Sequence, residues 1–319
     1  MKIVFLEANT LGDDVDLSGF SKLGEVVTYP LSDPSQNADR CKDADVVVLN
    51  KIHVGADLLD GNDRTKLVCI TATGTNIVDF EYTNSRHITV TNVKGYSTES
   101  VVQHTFALAF YLWEKMNYYD NFVKSGAYAS SDVFSHFTEK FHELAGHTWG
   151  IVGLGNIGRR VADVAKAFGC KVVYYSTSGN HDEPEYERVS LERLLAESDI
   201  ISVHAPLNAA TKGLIGENEL KRMKKSAILL NLGRGGIIDE DALICALEQG
   251  VIAGAGTDVL TKEPMAKDSP YLRIKDSGKL IVTPHIAWAT VEARVRCAEE
   301  IYMNIEAWLA GKERNVCVK

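Results

Sequence analysis

The sequence predicts an α/β chain built as two doubly wound parallel-sheet domains. Three observations predict it. Strand-like apolar runs alternate with helical patterns from end to end, which places parallel strands beneath crossover helices on both faces. The runs fall into two sets separated by a long apolar helical stretch. Within the second set, residues 148–176 (TWGIVGLGNIGRRVADVAKAFGCKVVYYS) hold a strand, a glycine-spaced turn, a helix and a second strand in order. A length of 319 residues suits two domains, at roughly 100–200 residues each.

The first set of expected strands is 2–6, 25–29, 45–49, 66–71 and 88–91. Residues 98–119 follow as a helical pattern rich in apolar and aromatic residues, among them Phe106, Phe110 and Trp113. Ser97 or Thr98 can cap it by accepting from a free N–H, and it reads as a buried helix crossing between domains. The second set is 149–152, 171–175, 200–203, 227–231, 253–255 and 280–282. In the last segment, 290–310, Val295, Ala298, Ile301, Ile305 and Trp308 recur at helical spacing; this helix is expected to return to the first domain. No internal repeat or low-complexity linker interrupts the chain.

The glycine turn is Gly153-Leu154-Gly155-Asn156-Ile157-Gly158. Gly153 permits the tight turn, Gly155 lets backbone approach a pyrophosphate, and Gly158 lets helix and strand pack closely. The N–H groups at the helix start then face the phosphates. The flanking strand–turn–helix–strand pattern is what makes this G-x-G-x-x-G specific for a dinucleotide. Its position in mid-chain assigns the dinucleotide to the second domain.

Composition narrows the partners. Apolar residues make up 45% and charged residues 24%, ordinary for a globular protein. A net charge of −9 argues against nucleic acid, though a small anionic substrate needs only one or two local cations. The cysteines, Cys41, Cys69, Cys170, Cys245, Cys297 and Cys317, show no C-x-x-C and no zinc-like spacing, so no metal is expected. The apolar run before Glu7 is too short for a signal-peptide core, and no stretch has the length of a membrane span. The expected location is the cytoplasm.

Three segments after the turn carry chemistry: Asn231-Leu232-Gly233-Arg234-Gly235, the stretch from Asp258 to Pro264, and Thr283-Pro284-His285-Ile286-Ala287-Trp288. Each begins where a predicted strand ends, the side on which open parallel sheets bind ligands. Reducing a 2-oxo acid delivers hydride to the carbonyl carbon and a proton to its oxygen. A histidine is the natural proton donor near neutral pH. A carboxylate beside it stabilises the imidazolium and fixes the ring. An arginine fork grips a substrate carboxylate and polarises the carbonyl in a way lysine cannot. His285, Glu263 and Arg234 are the candidates.

The strings VGLGNIGRRVA, HAPLNAATKGLI, NLGRGGIIDEDAL, GAGTDVLTKEP and TPHIAW, in this order, resemble the D-isomer-specific 2-hydroxyacid dehydrogenase family over nearly the whole chain. The resemblance implies Arg234 as substrate-binding, Glu263 as partner of the histidine and His285 as general acid/base. On the cofactor side it implies Gly153, Gly155, Asn156, Ile157 and Gly158, then Ser176 and Thr177, then His204, Ala205, Pro206 and Thr211. It adds Leu232, Gly233, Thr105, and Asp258 at the nicotinamide carboxamide. Thr73 and Gly74 match the loop whose backbone N–H groups hold the substrate carboxylate, since oriented amides bind anions; Lys51 and Trp288 complete the substrate side. The implied architecture is a Rossmann dinucleotide-binding domain, 99–285, inserted into a flavodoxin-like substrate domain, 1–98 plus 286–319. The cleft would lie between them and close to exclude water.

Several strings are most similar to the glycerate dehydrogenases within that family: LNK at 49–51, ATGTN at 72–76, GYST at 95–98, QHTFA at 103–107 and HIAWA at 285–289. The implied substrate pair is D-glycerate and hydroxypyruvate, with D-lactate, glyoxylate or another 2-oxo acid as alternatives. An NAD-sensing binding protein without turnover is the alternative from another class. Formate dehydrogenases resemble the family too, but do not need a histidine paired with glutamate. Ser176 stands where an acid for the ribose hydroxyls is usual. Its absence removes repulsion against a 2′-phosphate, yet no arginine or lysine follows nearby, and the nearest candidate is His181. NAD is the expected cofactor, with some NADP use permitted. Family resemblance implies a homodimer, and the aromatic stretch 126–143, with Tyr128, Phe134, Phe137 and Phe141, is a candidate arm.

Overall fold

The computed structural model describes residues 1–179 and 183–317. The chain divides into two compact units, Met1–Ser97 with Ala289–Lys319, and Thr98–Trp288.

The first unit holds β1 (Lys2–Phe5), β2 (Glu25–Thr28), β3 (Val46–Leu49), β4 (Leu67–Ile70) and β5 (Thr89–Thr91). All pair in parallel, in the order β2-β1-β3-β4-β5. That is the flavodoxin-like order. β3 and β4 are buried along their whole length, which explains their unbroken Val/Leu/Cys/Ile sequences. Short helices α1 (Asn37–Cys41), α2 (Ala56–Leu59) and α3 (Phe80–Ser85) make the crossovers.

The second unit opens with α4 (Thr98–Trp113) and α5 (Met116–Lys124). The single helix expected over 98–119 is therefore broken. Lys115 adopts a left-handed backbone, φ +55°, which an α-helix of L-residues cannot contain without cost. The burial changes at the same point: α4 buries Val101, Phe106, Leu108 and Leu112 in the core of this unit, whereas α5 buries none of its residues. Then come β6 (Thr148–Val152), α6 (Asn156–Ala167), β7 (Lys171–Tyr175), β8 (Glu187–Arg188), α7 (Leu191–Glu197), β9 (Ile200–Val203), α8 (Glu217–Leu220), β10 (Ile228–Asn231), α9 (Glu240–Glu248), β11 (Gly254–Thr257) and β12 (Leu280–Val282). The sheet runs β12-β11-β10-β9-β6-β7-β8, all parallel. Order reverses between β6 and β9, the switch point beside which Rossmann sheets bind their ligands. Trp149 anchors the middle: it is fully buried, donates its indole N–H to Ser202 Oγ at 2.9 Å, and lies 4.7 Å from the ring of Phe106.

The chain returns to the first unit in α10 (Val291–Leu309), capped by Thr290 accepting from Ala293 N–H. It buries Cys297, Ala298, Ile301 and Ile305 there, and Asn304 donates to the Asn92 carbonyl at 3.0 Å. Every expected strand forms within a residue or two of its expected limits; β8, only two residues long, is the addition.

Candidate active site

At the switch point the glycines act sterically. Gly153 has φ +92°, and a Cβ there would sit 2.9 Å from the Ala205 backbone. A Cβ on Gly158 would lie 2.2 Å from the Gly153 carbonyl oxygen. No side chain but hydrogen fits either place. Gly155 differs: it is the N-cap of α6, without a side-chain cap, and a Cβ there would meet nothing within 4 Å. Open space thus stands over the first turn of a twelve-residue helix, whose N–H groups begin at Asn156, Ile157 and Gly158. These features fit a dinucleotide pyrophosphate.

The wall opposite is the segment after β9. His204 N–H bonds the Val152 carbonyl at 2.9 Å, continuing the ladder beyond the strands. Both His204 ring nitrogens are buried without a hydrogen-bond partner among the described residues. Burial pushes this imidazole down to about 3, so it is neutral at working pH. Ala205 is buried, and Thr211, fully buried, donates to the Pro206 carbonyl at 2.7 Å and closes the loop. Ser176 is buried directly after β7, with Thr177 half-buried beside it. Thr105 is fully buried and donates to Val101 O at 2.7 Å, which leaves it no open surface for a ligand.

The second cluster gathers at the ends of β10, β11 and β12. Asn231 shapes the first loop: its Oδ1 accepts from Gly233 N–H at 3.2 Å and its Nδ2 donates to Arg234 O at 3.1 Å. Leu232 and Gly233 are buried, and a Cβ on Gly233 would press on Ala205 O at 2.7 Å. A Cβ on Gly235 would overlap the Leu260 carbonyl, at 1.9 Å. Glycine there lets the Arg234 loop lie against Leu260 and Thr261. Arg234 is half-buried and folds Nη1 onto Gly233 O at 2.8 Å.

Glu263 joins this loop to the histidine. One carboxylate oxygen accepts from Leu260 N–H at 3.0 Å, and the other meets His285 Nδ1 at 2.7 Å. Both side chains are about a quarter exposed, 28% and 25%, so the pair is accessible yet partly desolvated. His285 itself has φ +57°. Asp258 holds the backbone in place around that residue. Buried, it accepts from Thr283 Oγ1 at 2.6 Å, Ile286 N–H at 2.9 Å and Ala287 N–H at 2.8 Å. The arrangement fixes one ring nitrogen of His285 and leaves Nε2 to exchange a proton. His104 of α4 completes the network, with Nε2 3.0 Å from Thr283 Oγ1 and 3.7 Å from Asp258 Oδ1. Burial lowers the His104 pKa against the opposing pull of Asp258.

Residues 106–287 match the family model for the D-isomer specific 2-hydroxyacid dehydrogenase, NAD binding domain. The chain belongs to the D-isomer specific 2-hydroxyacid dehydrogenase family. As a member it is an oxidoreductase that binds a nicotinamide dinucleotide and acts on the CH–OH group of a 2-hydroxy acid. It is similar to the glycerate dehydrogenase of Methylorubrum extorquens, 39% identical over 316 residues, 99% of this chain and 98% of that one. It is also similar to the hydroxypyruvate reductase of Blautia hydrogenotrophica, 34% identical across the full length of both chains. Among solved structures it resembles the D-lactate dehydrogenase of Aquifex aeolicus complexed with NAD and lactic acid, with a TM-score of 0.84 at 28% identity, covering 98% of this chain and 96% of that one.

Of the residues expected to act in this dehydrogenase, the structure joins Glu263 to His285 and sets the Arg234 loop against Leu260. Trp288 packs on the core of the second unit. Lys51, Thr73 and Gly74 belong to the first unit. Lys51 is exposed, its backbone N–H donating to Glu7 Oε2 at 2.9 Å, and Thr73 donates its hydroxyl to Val93 O at 2.9 Å. His181 lies outside the described residues. Two residues escaped sequence reasoning. His104 stood only within the string QHTFA and was given no role, since only the fold brings α4 to Thr283. Arg188 sits on the two-residue strand β8, too short for any periodicity to reveal.

Proposed function

We propose that this dehydrogenase interconverts hydroxypyruvate and D-glycerate. The observation that carries the reading is the Glu263–His285 contact of 2.7 Å at the strand ends of a Rossmann sheet, in a chain similar over its length to a glycerate dehydrogenase and a hydroxypyruvate reductase. When bound, the nicotinamide supplies the hydride to the carbonyl carbon. His285 Nε2 gives the carbonyl oxygen its proton, and takes it back in the oxidative direction. Glu263 holds Nδ1 and balances the charge on the ring. Arg234 swings its fork from Gly233 O to the substrate, where it binds the carboxylate and polarises the carbonyl. The backbone at Thr73 and Gly74 takes the carboxylate as well, Lys51 favours a substrate with an additional hydroxyl, and Trp288 lines the substrate side.

The cofactor is held by Gly153, Gly155, Asn156, Ile157 and Gly158 at the phosphates. Ser176 and Thr177 serve the ribose. His204, Ala205, Pro206, Leu232 and Gly233 serve as walls. Asp258 acts mainly through the His285 loop, because three of this chain's own donors already occupy it. Measuring kcat/KM for hydroxypyruvate, glyoxylate and pyruvate tests the assignment. A higher value for pyruvate than for hydroxypyruvate would sink it, and absence of turnover on every 2-oxo acid would favour a binding role.

The protein acts as a homodimer in the cytoplasm. Phe134, Phe137 and Phe141 are 90%, 79% and 50% exposed, an apolar surface that a second copy would cover. The cysteines described are all free, as a reducing compartment requires. No helix among the described residues is long and apolar enough to cross a membrane. Light scattering at micromolar concentration should give twice the mass of the chain.

A further inference from the structure

We infer that Arg188 and the hydroxyl loop after β7 form a subsite for the 2′-phosphate of NADP(H). This rests on the dinucleotide reading above and deepens it. The sequence presents Ser176-Thr177-Ser178-Gly179 where an acid would otherwise accept the ribose hydroxyls. An acid there repels a 2′-phosphate, and a hydroxyl donates to one. What the sequence lacks within the loop is a cation, and the fold supplies it from another strand. β8 pairs with β7 so that Arg188 lies in register with Tyr174, and Val189 N–H bonds the Tyr174 carbonyl at 2.9 Å. Its guanidinium reaches the loop: Nη2 lies 3.8 Å from the position a Cβ on Gly179 would take.

The charges around it leave this guanidinium available. Arg159, at the start of α6, is paired with Glu183. Glu187, beside Arg188 in sequence, is held by Arg193 at 2.6 Å with Lys171 at 3.8 Å. Arg188 is exposed, and among the described residues no carboxylate lies within ion-pair distance of it. Gly179 has φ +73° and no side chain, so nothing on that residue stands between the fork and the loop. A fork of donors beside Gly179, at the end of a loop that carries serine and threonine hydroxyls, suits a phosphate dianion, which takes charge-assisted bonds from both kinds of donor. The ribose diol of NAD(H) offers no such charge.

Calorimetric titration of NADH and NADPH into the wild type, Arg188→Ala and Arg188→Glu tests this without reference to turnover. The wild type should bind NADPH at least as tightly as NADH. Arg188→Ala should raise the ratio of the NADPH to the NADH dissociation constant by about tenfold, as expected for one charge-assisted contact, and Arg188→Glu by more. The contrast between 2′,5′-ADP and 5′-AMP should repeat the pattern in fragments that differ only by the 2′-phosphate. A ratio unchanged across the three proteins, or a wild type that binds NADH tenfold tighter, overturns the subsite and leaves the dehydrogenase reading intact. A protein that binds neither dinucleotide overturns both.

Discussion

The glycine turn and the histidine loop lie on the same sheet of the second unit, yet they are specified in opposite ways. The turn is local. Gly153 and Gly158 exclude side chains within a span of six residues, by contact with each other and with Ala205. The histidine loop is made at a distance. His285 is held by Glu263, 22 residues earlier, and its neighbours Ile286 and Ala287 by Asp258, 28 and 29 residues earlier. One region is set by the volume of a missing methyl group, the other by polar bonds across three strand ends. Steric specification shows in a sequence as a spacing. Polar specification shows only as scattered residues.

The largest effect separating the two belongs to the histidine. His285→Ala should lower kcat by about 10²–10⁴-fold, the usual worth of a positioned acid/base, while leaving dinucleotide affinity near wild type. Alanine at φ +57° adds backbone strain, so His285→Asn is the control, because asparagine tolerates the left-handed region. Equal losses in both variants assign the effect to proton transfer. A substantially active Asn variant would mean strain was the cause.

The next effect tests the turn. Gly158→Ala must displace backbone, since its Cβ would sit 2.2 Å from a carbonyl oxygen; overpacking of this kind costs ~1–3 kcal/mol, readable by urea unfolding. Gly155→Ala has open space and should unfold like the wild type while losing dinucleotide affinity, because the methyl group fills the phosphate's place. If Gly155→Ala lost stability and Gly158→Ala did not, the division of roles between the glycines would be reversed.

A smaller effect probes the loop's supports. Asp258→Asn keeps the shape but removes the charge from three hydrogen bonds, and one amide nitrogen must then face a backbone donor. We expect a loss of about 1–3 kcal/mol and a fall in kcat larger than any rise in KM, as for a residue that positions rather than binds. A change confined to KM would instead make Asp258 a direct cofactor or substrate contact.

These contrasts also account for what was legible in the sequence. Both sheets were readable because β3, β4, β9 and β10 are buried end to end, β3 and β4 as unbroken apolar runs and β9 and β10 with a single polar residue each, Ser202 and Asn231. The break between α4 and α5 was not, because residues 114–119 keep the aromatic character of the helix before them, and only the backbone at Lys115 ends it. Arg234, Glu263 and His285 stood out because each follows a strand end. Asp258 stood out only by resemblance, which points it at the cofactor; its hold on the backbone around His285, through Thr283, Ile286 and Ala287, comes from residues 25 to 29 positions away and left no local pattern. Arg188 and His104 depend on strand pairing and helix packing, which local sequence does not encode.

Two half-buried histidines, one at each region, give the finest comparison. His204 abuts the glycine turn with no ring partner among the described residues, whereas His104 reaches Thr283 in the histidine loop. Both are held below the ordinary histidine value by burial, His204 at about 3. The unfolded chain therefore binds protons that the folded chain refuses once pH drops below ~6.5. Their stabilising contribution is complete above that pH and is lost as pH falls toward the folded values. Unfolding free energy should decline between pH 7.5 and 5.5, and each histidine can add up to ~1.4 kcal/mol per pH unit to the slope. His204→Phe should flatten the slope, because it removes a proton acceptor whose ring nitrogens have no partner among the described residues. His104→Gln should flatten it too, but should also lower kcat, because its ring supports Thr283 and through it the His285 loop. If both variants lowered kcat alike, the two regions would be one coupled network rather than two separately specified ones.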